Sequence, residues 1–304
     1  MKGPIPMRLG ISSYCLCPNL RDGRMSIFDV IGWAAAHGCQ HIEFVPFYLD
    51  FVSNPKLIGQ VREACAAAGL PISTYSLNAD LLKPDPEERR AEIQRVKAHI
   101  DIAHKLGLTK MRHDVASFRR PMSSNTPQNF IREFPWMVEG VQELADYAAA
   151  YGMTTTLENH GFFVNGSDRV ISLIEAAGRP NVRMTVDVGN FLCMDERGET
   201  AVKKCLPYAD MIHLKDFYIR DKARLAGVGG LFDCDNGSWF ETVGGSMLRG
   251  SILGQGDLDI WKILSDIKHS GYDGDISIEF EGMEPCEAAT ETCLRTARAI
   301  WERV

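Results

Sequence analysis

The sequence predicts a (β/α)₈ barrel, and three observations carry that reading. Strand-like apolar runs recur eight times, helical periodicity fills the intervals, and glycine marks the places where a helix ends and a strand begins. The runs lie at 8–13, 41–45, 71–76, 109–113, 153–158, 182–187, 210–214 and 275–280. Most start about 30 to 40 residues after their predecessor, the length of one strand with its helix and return. At 304 residues the chain has a length that such barrels reach as one domain.

The glycine punctuation stands in AAHGCQHIEFV, AAAGLPISTYSL, HKLGLTKMRHDV, AAYGMTTTLEN and KHSGYDGDISIEF. Glycine just past a helix accepts the left-handed C′ conformation, and the next strand starts within a few residues. Pro180 and Asn181 fill the same turn in AAGRPNVRMTVDV. Between strands the period changes from 2 to 3.6. Ile93, Val96, Ile100 and Ala103 share one face, as do Val141, Leu144, Ala145 and Ala148, and later Ile260, Ile263, Leu264 and Ile267. An open doubly wound sheet would call for G-x-G-x-x-G after a strand, which is absent. The widest interval, Lys215 to Asp259, contains GVGGLFDCDNGSWFETVGG and has weak helical periodicity. The expectation is one barrel domain over 1–304 with a long loop insertion at about 215–258, ordering over the barrel mouth around substrate.

Composition narrows the partners. Apolar residues make up 45% of the chain and charged residues 24%, which suits a globular protein with a sizeable core. A net charge of −7 argues against a broad nucleic-acid footprint. Nine cysteines without paired C-x-x-C spacing read as reduced thiols of a cytoplasmic protein. Prolines interrupt the first residues where a signal peptide needs an apolar run, and no stretch approaches the roughly 18 apolar residues of a membrane span.

Parallel strands covered on both faces should be nearly all apolar, so acids and histidines at their carboxyl ends need a reason. Here they are Glu43 in HIEFV, His113 and Asp114 in MRHDV, and Glu158, Asn159 and His160 in TLENHG. Asp187 and Asn190 follow in TVDVGN, His213, Lys215 and Asp216 in IHLKD, and Glu279 and Glu281 in SIEFEG. Taken one at a time, each reads more readily as an ion-paired or hydrogen-bonded core residue than as a functional group. Together, three carboxylates and an imidazole from strands five to eight meet at the mouth of a barrel, where their repulsion calls for a cation. Oxygen-rich ligation with one nitrogen suits one divalent ion: Mn²⁺, Mg²⁺, Co²⁺ or a catalytic Zn²⁺. A structural salt-bridge network on the same residues is the alternative.

Over essentially its whole length the chain resembles the xylose-isomerase-like sugar phosphate isomerase/epimerase family, with its ketose 3-epimerases and inosose dehydratases. The resemblance rests on LGISSY, IEF, TLENH, TVDVGNF, HLKD and the block GQGDLDIWKILSDIKHSGYDGDISIEFEG. It implies Glu158, Asp187, His213 and Glu279 as metal ligands, and Glu158 and Glu279 as the acid and base pair. Glu43, His160, Asn190 and Lys215 are expected around a small carbohydrate substrate. Two departures stand out: Asn190 and Ile219 occupy positions where the ketose epimerases carry a histidine and an arginine.

The expected chemistry is isomerisation or epimerisation of a sugar-like ketone through a metal-stabilised enediolate. The runner-up is a lyase of the inosose-dehydratase or keto-glycoside kind, in which His113 protonates the leaving oxygen. A hydrogen bond from His113 to Asp114 or to a metal-bound carboxylate is its other reading. Phosphodiester cleavage, as in a DNA-repair endonuclease group with this barrel, suits neither the 8 histidines nor the acidic sum. A non-catalytic sugar-binding barrel, with Tyr14, Trp239 and Phe240 stacking on a ring, is the remaining alternative. Symmetric homodimers or homotetramers are the expected assemblies.

Overall fold

The computed structural model describes residues 6–225 and 239–304. Eight parallel strands close into a barrel: β1 (Arg8–Ser12), β2 (Ile42–Phe44), β3 (Ile72–Leu77), β4 (Lys110–His113), β5 (Thr154–Glu158), β6 (Val182–Asp187), β7 (Ala209–Leu214) and β11 (Asp275–Ile278). Around the barrel the order is β1-β11-β7-β6-β5-β4-β3-β2, so each strand neighbours its predecessor and β11 closes on β1. All eight lie where the apolar runs predict them.

A short helix α1 (Cys17–Arg21) follows β1. The outer layer is α2 (Ile27–Ala36), α3 (Lys56–Ala67), α4 (Pro86–Lys105), α5 (Pro127–Ala149), α6 (Ser167–Ala177), α7 (Gly198–Cys205), α8 (Ile260–Ser270) and α9 (Cys286–Trp301). Local chemistry sets their ends. Ser26 and Asp29 form a capping box at α2, and the side chains of Asp85, Thr126 and Asp259 cap α4, α5 and α8. Gly38, Gly69, Gly107, Gly152 and Gly271 all have φ between 63° and 84°, the conformation that the helix-to-strand turn demands. Val141, Leu144, Ala145 and Ala148 are buried against the sheet, as are Ile260, Ile263, Leu264 and Ile267. On α4, Val96, Ile100 and Ala103 are buried and Ile93 packs at the edge of the core.

The insertion after β7 carries a small antiparallel sheet of β8 (Asp216–Asp221), β9 (Phe240–Glu241) and β10 (Ser246–Ser251), in the order β8-β10-β9. Asp195, itself at φ 56°, accepts hydrogen bonds from the Thr242 hydroxyl (2.7 Å) and the Gly244 amide (2.6 Å), tying the β9–β10 turn to the segment after β6. Residues 226–238 of the expected lid lie outside the described residues. Among the described residues no helix is long and apolar enough to cross a membrane.

Candidate metal centre

Four neighbouring strands each deliver one donor to the same point. Glu158 ends β5, Asp187 ends β6, His213 lies one residue before the end of β7, and Glu279 follows β11 directly. The register pairs Asp187 with His213 and His213 with Ser277, so the three chain ends finish level. One ligand atom from each of Glu158, Asp187, His213 and Glu279 lies within 4.8 Å of the others, and all four residues are buried.

Each donor is aimed by a partner. The Nε2 of His213 is 2.8 Å from Glu43 Oε2, which turns Nδ1 toward Glu158 Oε1 (3.3 Å) and Glu279 Oε2 (3.2 Å). Nδ1 is aligned for a hydrogen bond with neither. Asp187 Oδ1 accepts the amides of Gly189 and Asn190, each at 2.8 Å, and leaves Oδ2 without a hydrogen bond. A side chain at position 189 would meet the Lys215 carbonyl at 2.9 Å, so the turn requires glycine. Asn159 joins the ends of β5 and β6 through both backbone groups of Asp187. The two orphaned buried atoms, Asp187 Oδ2 and His213 Nδ1, with a carboxylate oxygen on either side, fit a divalent cation. Glu43 behind the imidazole is the carboxylate–histidine arrangement that orients metal-binding histidines.

Charge follows the same logic. Burial raises Asp187 to about 7, with Glu279 and Glu158 adding to the rise and Lys215 opposing it. Burial, more than its neighbours' charges, disfavours the ionised Asp187 carboxylate, which an opposite charge at Oδ2 would stabilise. Burial also works against Glu158, yet the Arg112 guanidinium and His213 hold it down at about 2. Glu279 is likewise lowered against its burial, by Lys215 and His213. His213 is raised against its burial by Glu43, Glu279 and Glu158.

Two of the donors, Glu158 and Glu279, line a cavity of about 140 Å³ whose walls also include Tyr14, Arg112, Phe118, His160, Lys215 and Glu281. Lys215 is buried, with Nζ 3.0 Å from Glu281, 3.2 Å from Glu279 and 3.4 Å from Asp187. His160 Nδ1 rests on the Asp114 carboxylate at 3.1 Å, against burial, and that contact raises its pKa. Of the expected substrate residues, His160 and Lys215 line the cavity. Glu43 stands behind His213, and its other oxygen takes a short hydrogen bond from Ser76. Asn190 donates to Glu158 Oε1 (3.3 Å) and accepts from Lys215 (3.3 Å). His113 is buried off the cavity, its Nδ1 held by the Asp114 carbonyl at 2.9 Å, and burial lowers its pKa. Asp216 receives the amides of Gly254 and Gly256 and braces the insertion.

Sequence reading passed over Arg112, which pairs with Glu158 and, at 2.7 Å, with Asp114. The signal was present. Side chains alternate along a strand, so Arg112 and Asp114 face the barrel interior together and His113 between them faces away.

The chain belongs to the xylose isomerase-like TIM barrel family, whose model matches residues 31–300. The inosose dehydratase of Geobacillus thermodenitrificans (strain NG80-2) is 22% identical over 228 residues, 73% of this chain and 72% of that protein. An inosose isomerase of Halalkalibacterium halodurans is 26% identical over 164 residues, 53% of this chain and about half (51%) of that protein. Among solved structures, the IOLI protein with a bound zinc atom superposes with a TM-score of 0.72 at 18% identity, covering 98% of this chain and 99% of that one.

Proposed function

We propose that this protein is a metal-dependent isomerase or epimerase acting on a sugar or sugar-like ketone by proton transfer at the carbon beside the carbonyl. The observation that carries the reading is the convergence of Glu158, Asp187, His213 and Glu279 on one point, with Glu158 and Glu279 facing a cavity that also presents Lys215, Glu281 and His160. A divalent ion held by those four side chains would supply Lewis-acid polarisation of the substrate carbonyl. Glu158, kept ionised by Arg112, accepts the carbon-bound proton, and the electron pair left behind moves toward the carbonyl oxygen. Glu279 is the second carboxylate at the cavity and returns a proton. Delivery to the opposite face of the same carbon gives an epimer, and delivery to the neighbouring carbon gives an isomer. Lys215 and Glu281 are placed to hold substrate hydroxyls.

A lyase is the second reading, favoured by the similarity to an inosose dehydratase and by one geometric fact. His160, carried on Asp114, faces the cavity and is placed to protonate a departing hydroxyl. His113 has no such position, so the acid of this reading is His160.

Two measurements test the proposal. Elemental analysis should find one divalent ion per chain, and Asp187→Asn should lose that ion together with activity, on the order of 10³-fold for several kcal/mol of transition-state stabilisation. Full occupancy in Asp187→Asn would remove the metal centre. Turnover of ketoses and inososes in deuterated water, with controls deuterated at the reacting carbon, should label the product beside the carbonyl. An epimer or isomer so labelled supports the lead, and a labelled product lacking water supports the lyase. Turnover without carbon exchange in either arm would sink both.

A further inference from the structure

Two cations at the candidate centre, Arg112 and Lys215, meet its carboxylates in different ways. Arg112 pairs with Glu158 through Oε2, while Oε1 of that carboxylate is the oxygen turned toward His213 Nδ1 at 3.3 Å. The guanidinium also holds Asp114 at 2.7 Å, and Asp114 lies outside the donor set. Arg112 therefore takes the far side of one donor and leaves the near oxygen to an ion.

Lys215 takes the near side of two. Its Nζ is 3.4 Å from Asp187 Oδ2, the oxygen that accepts no hydrogen bond, since the Gly189 and Asn190 amides go to Oδ1. It is 3.2 Å from Glu279 Oε2, the same oxygen that lies 3.2 Å from His213 Nδ1. The oxygens best placed for a divalent ion are thus the ones that the ammonium faces. Its other contacts are Glu281 Oε2 at 3.0 Å and Asn190 Oδ1 at 3.3 Å. The side chain is only 4% exposed, so solvent screens these charges little. Nor can the backbone withdraw. A side chain at position 189 would stand 2.9 Å from the Lys215 carbonyl, and the next residue, Asp216, is pinned by the amides of Phe217, Gly254 and Gly256.

Two cations that share an oxygen repel each other, and in a buried site the repulsion is far stronger than in water. We propose that Lys215 is a positioning residue that opposes the divalent ion: its ammonium shares the donor oxygens of Asp187 and Glu279 and so lowers the affinity of the centre for its metal. This rests on the reading of Glu158, Asp187, His213 and Glu279 as that centre. Glu43 and Lys215 then act with opposite sign, the first strengthening the imidazole donor and the second weakening two carboxylate donors. Carboxylates that divide their charge between two cations leave the metal the stronger Lewis acid toward a substrate carbonyl.

The test is competition for Zn²⁺ between the intact chain and a calibrated chromophoric chelator. Lys215→Met keeps much of the side-chain length and drops the charge, and it should bind the ion about tenfold more tightly than the wild type. Loss of a merely structural side chain from a buried site would loosen the ion instead. Lys215→Arg keeps the charge and should bind no more tightly than the wild type. Equal or weaker affinity in Lys215→Met, or tightening of the same size in Lys215→Arg, would overturn the proposal and leave the metal centre standing. If Lys215→Met is obtained only in its metal-bound form, the rate at which it yields Zn²⁺ to excess chelator takes the place of the titration. Release slower than from the wild type is expected, and equal or faster release would overturn the proposal. A wild type that binds no divalent ion would overturn the metal centre itself and this inference with it.

Discussion

The two halves of the barrel end in polar residues to a similar degree but use them differently. Strands β5, β6, β7 and β11 bring every atom of the candidate donor set, whereas β1 to β4 bring none. The first half supplies the groups that aim and charge-balance the second: Glu43 of β2 on His213, Arg112 of β4 on Glu158, and Ser76 of β3 on Glu43. It also contributes the apolar side of the cavity, with Val45, Phe47 and Phe118. A strand-end acid is thus no guide to ligand status by itself. What separates Glu43 from Glu158 is the side of the imidazole each occupies: Glu43 sits at Nε2, whereas Glu158 sits at Nδ1 among the other donors.

The sharpest way to break this division is Arg112→Met. It leaves Glu158 and Asp114 buried without their shared cation, and breaking a buried pair from one side costs about 3–5 kcal/mol. Urea unfolding of the metal-free protein should show that loss. A change under about 1 kcal/mol would mean that the first half does not support the site through charge.

The division also explains how far the sequence could be read. Glu158, Asp187, His213 and Glu279 were legible because each closes an apolar run on consecutive strands, a position with few structural reasons for a charge. The helix ends were legible too, since a left-handed C′ residue leaves a glycine behind, as at Gly107 and Gly271. Side-chain direction was not. His113 and Arg112 differ by one position and point to opposite sides of the sheet, so fixing which faces inward needs the barrel's register. Glu43 reads as a cavity residue until the pairing of Ser12 with Glu43 and of Ser277 with His213 sets it behind the imidazole. The insertion hid its strands because β8 and β10 pair with each other across a glycine-rich interval rather than with the barrel.

A smaller effect is expected from Glu43→Gln. To present a lone pair at Nδ1, His213 must carry its hydrogen on Nε2 and donate it to Glu43, and the carboxylate strengthens that bond. Removing the charge should weaken metal binding about 10- to 100-fold while the fold persists, the range for carboxylates that hydrogen-bond a metal-binding histidine. Competition with a calibrated chelator measures it. A loss as complete as that of Asp187→Asn would make Glu43 a ligand and collapse the contrast between the halves; unchanged affinity would show that barrel register alone holds the ring.

The smallest effect concerns the first half alone, at His99 of α4. Burial, helped by Arg95, lowers its pKa to about 4, and the ring bonds to the Tyr75 hydroxyl of β3. A histidine whose folded pKa lies below its unfolded value near 6.5 binds fewer protons when folded across that window, so stability rises with pH there. The contribution is complete above about pH 6.5 and is lost as the pH falls toward 4. Partial solvent screening keeps it to about 1–2 kcal/mol. His99→Gln retains a hydrogen-bonding partner for Tyr75 but cannot titrate. Urea midpoints of the wild type and His99→Gln should therefore converge between pH 6.5 and 4, through a steeper decline in the wild type. Parallel curves would mean that the ring protonates at no cost, and the packing of α4 on β3 would then be looser than the buried Tyr75–His99 bond indicates.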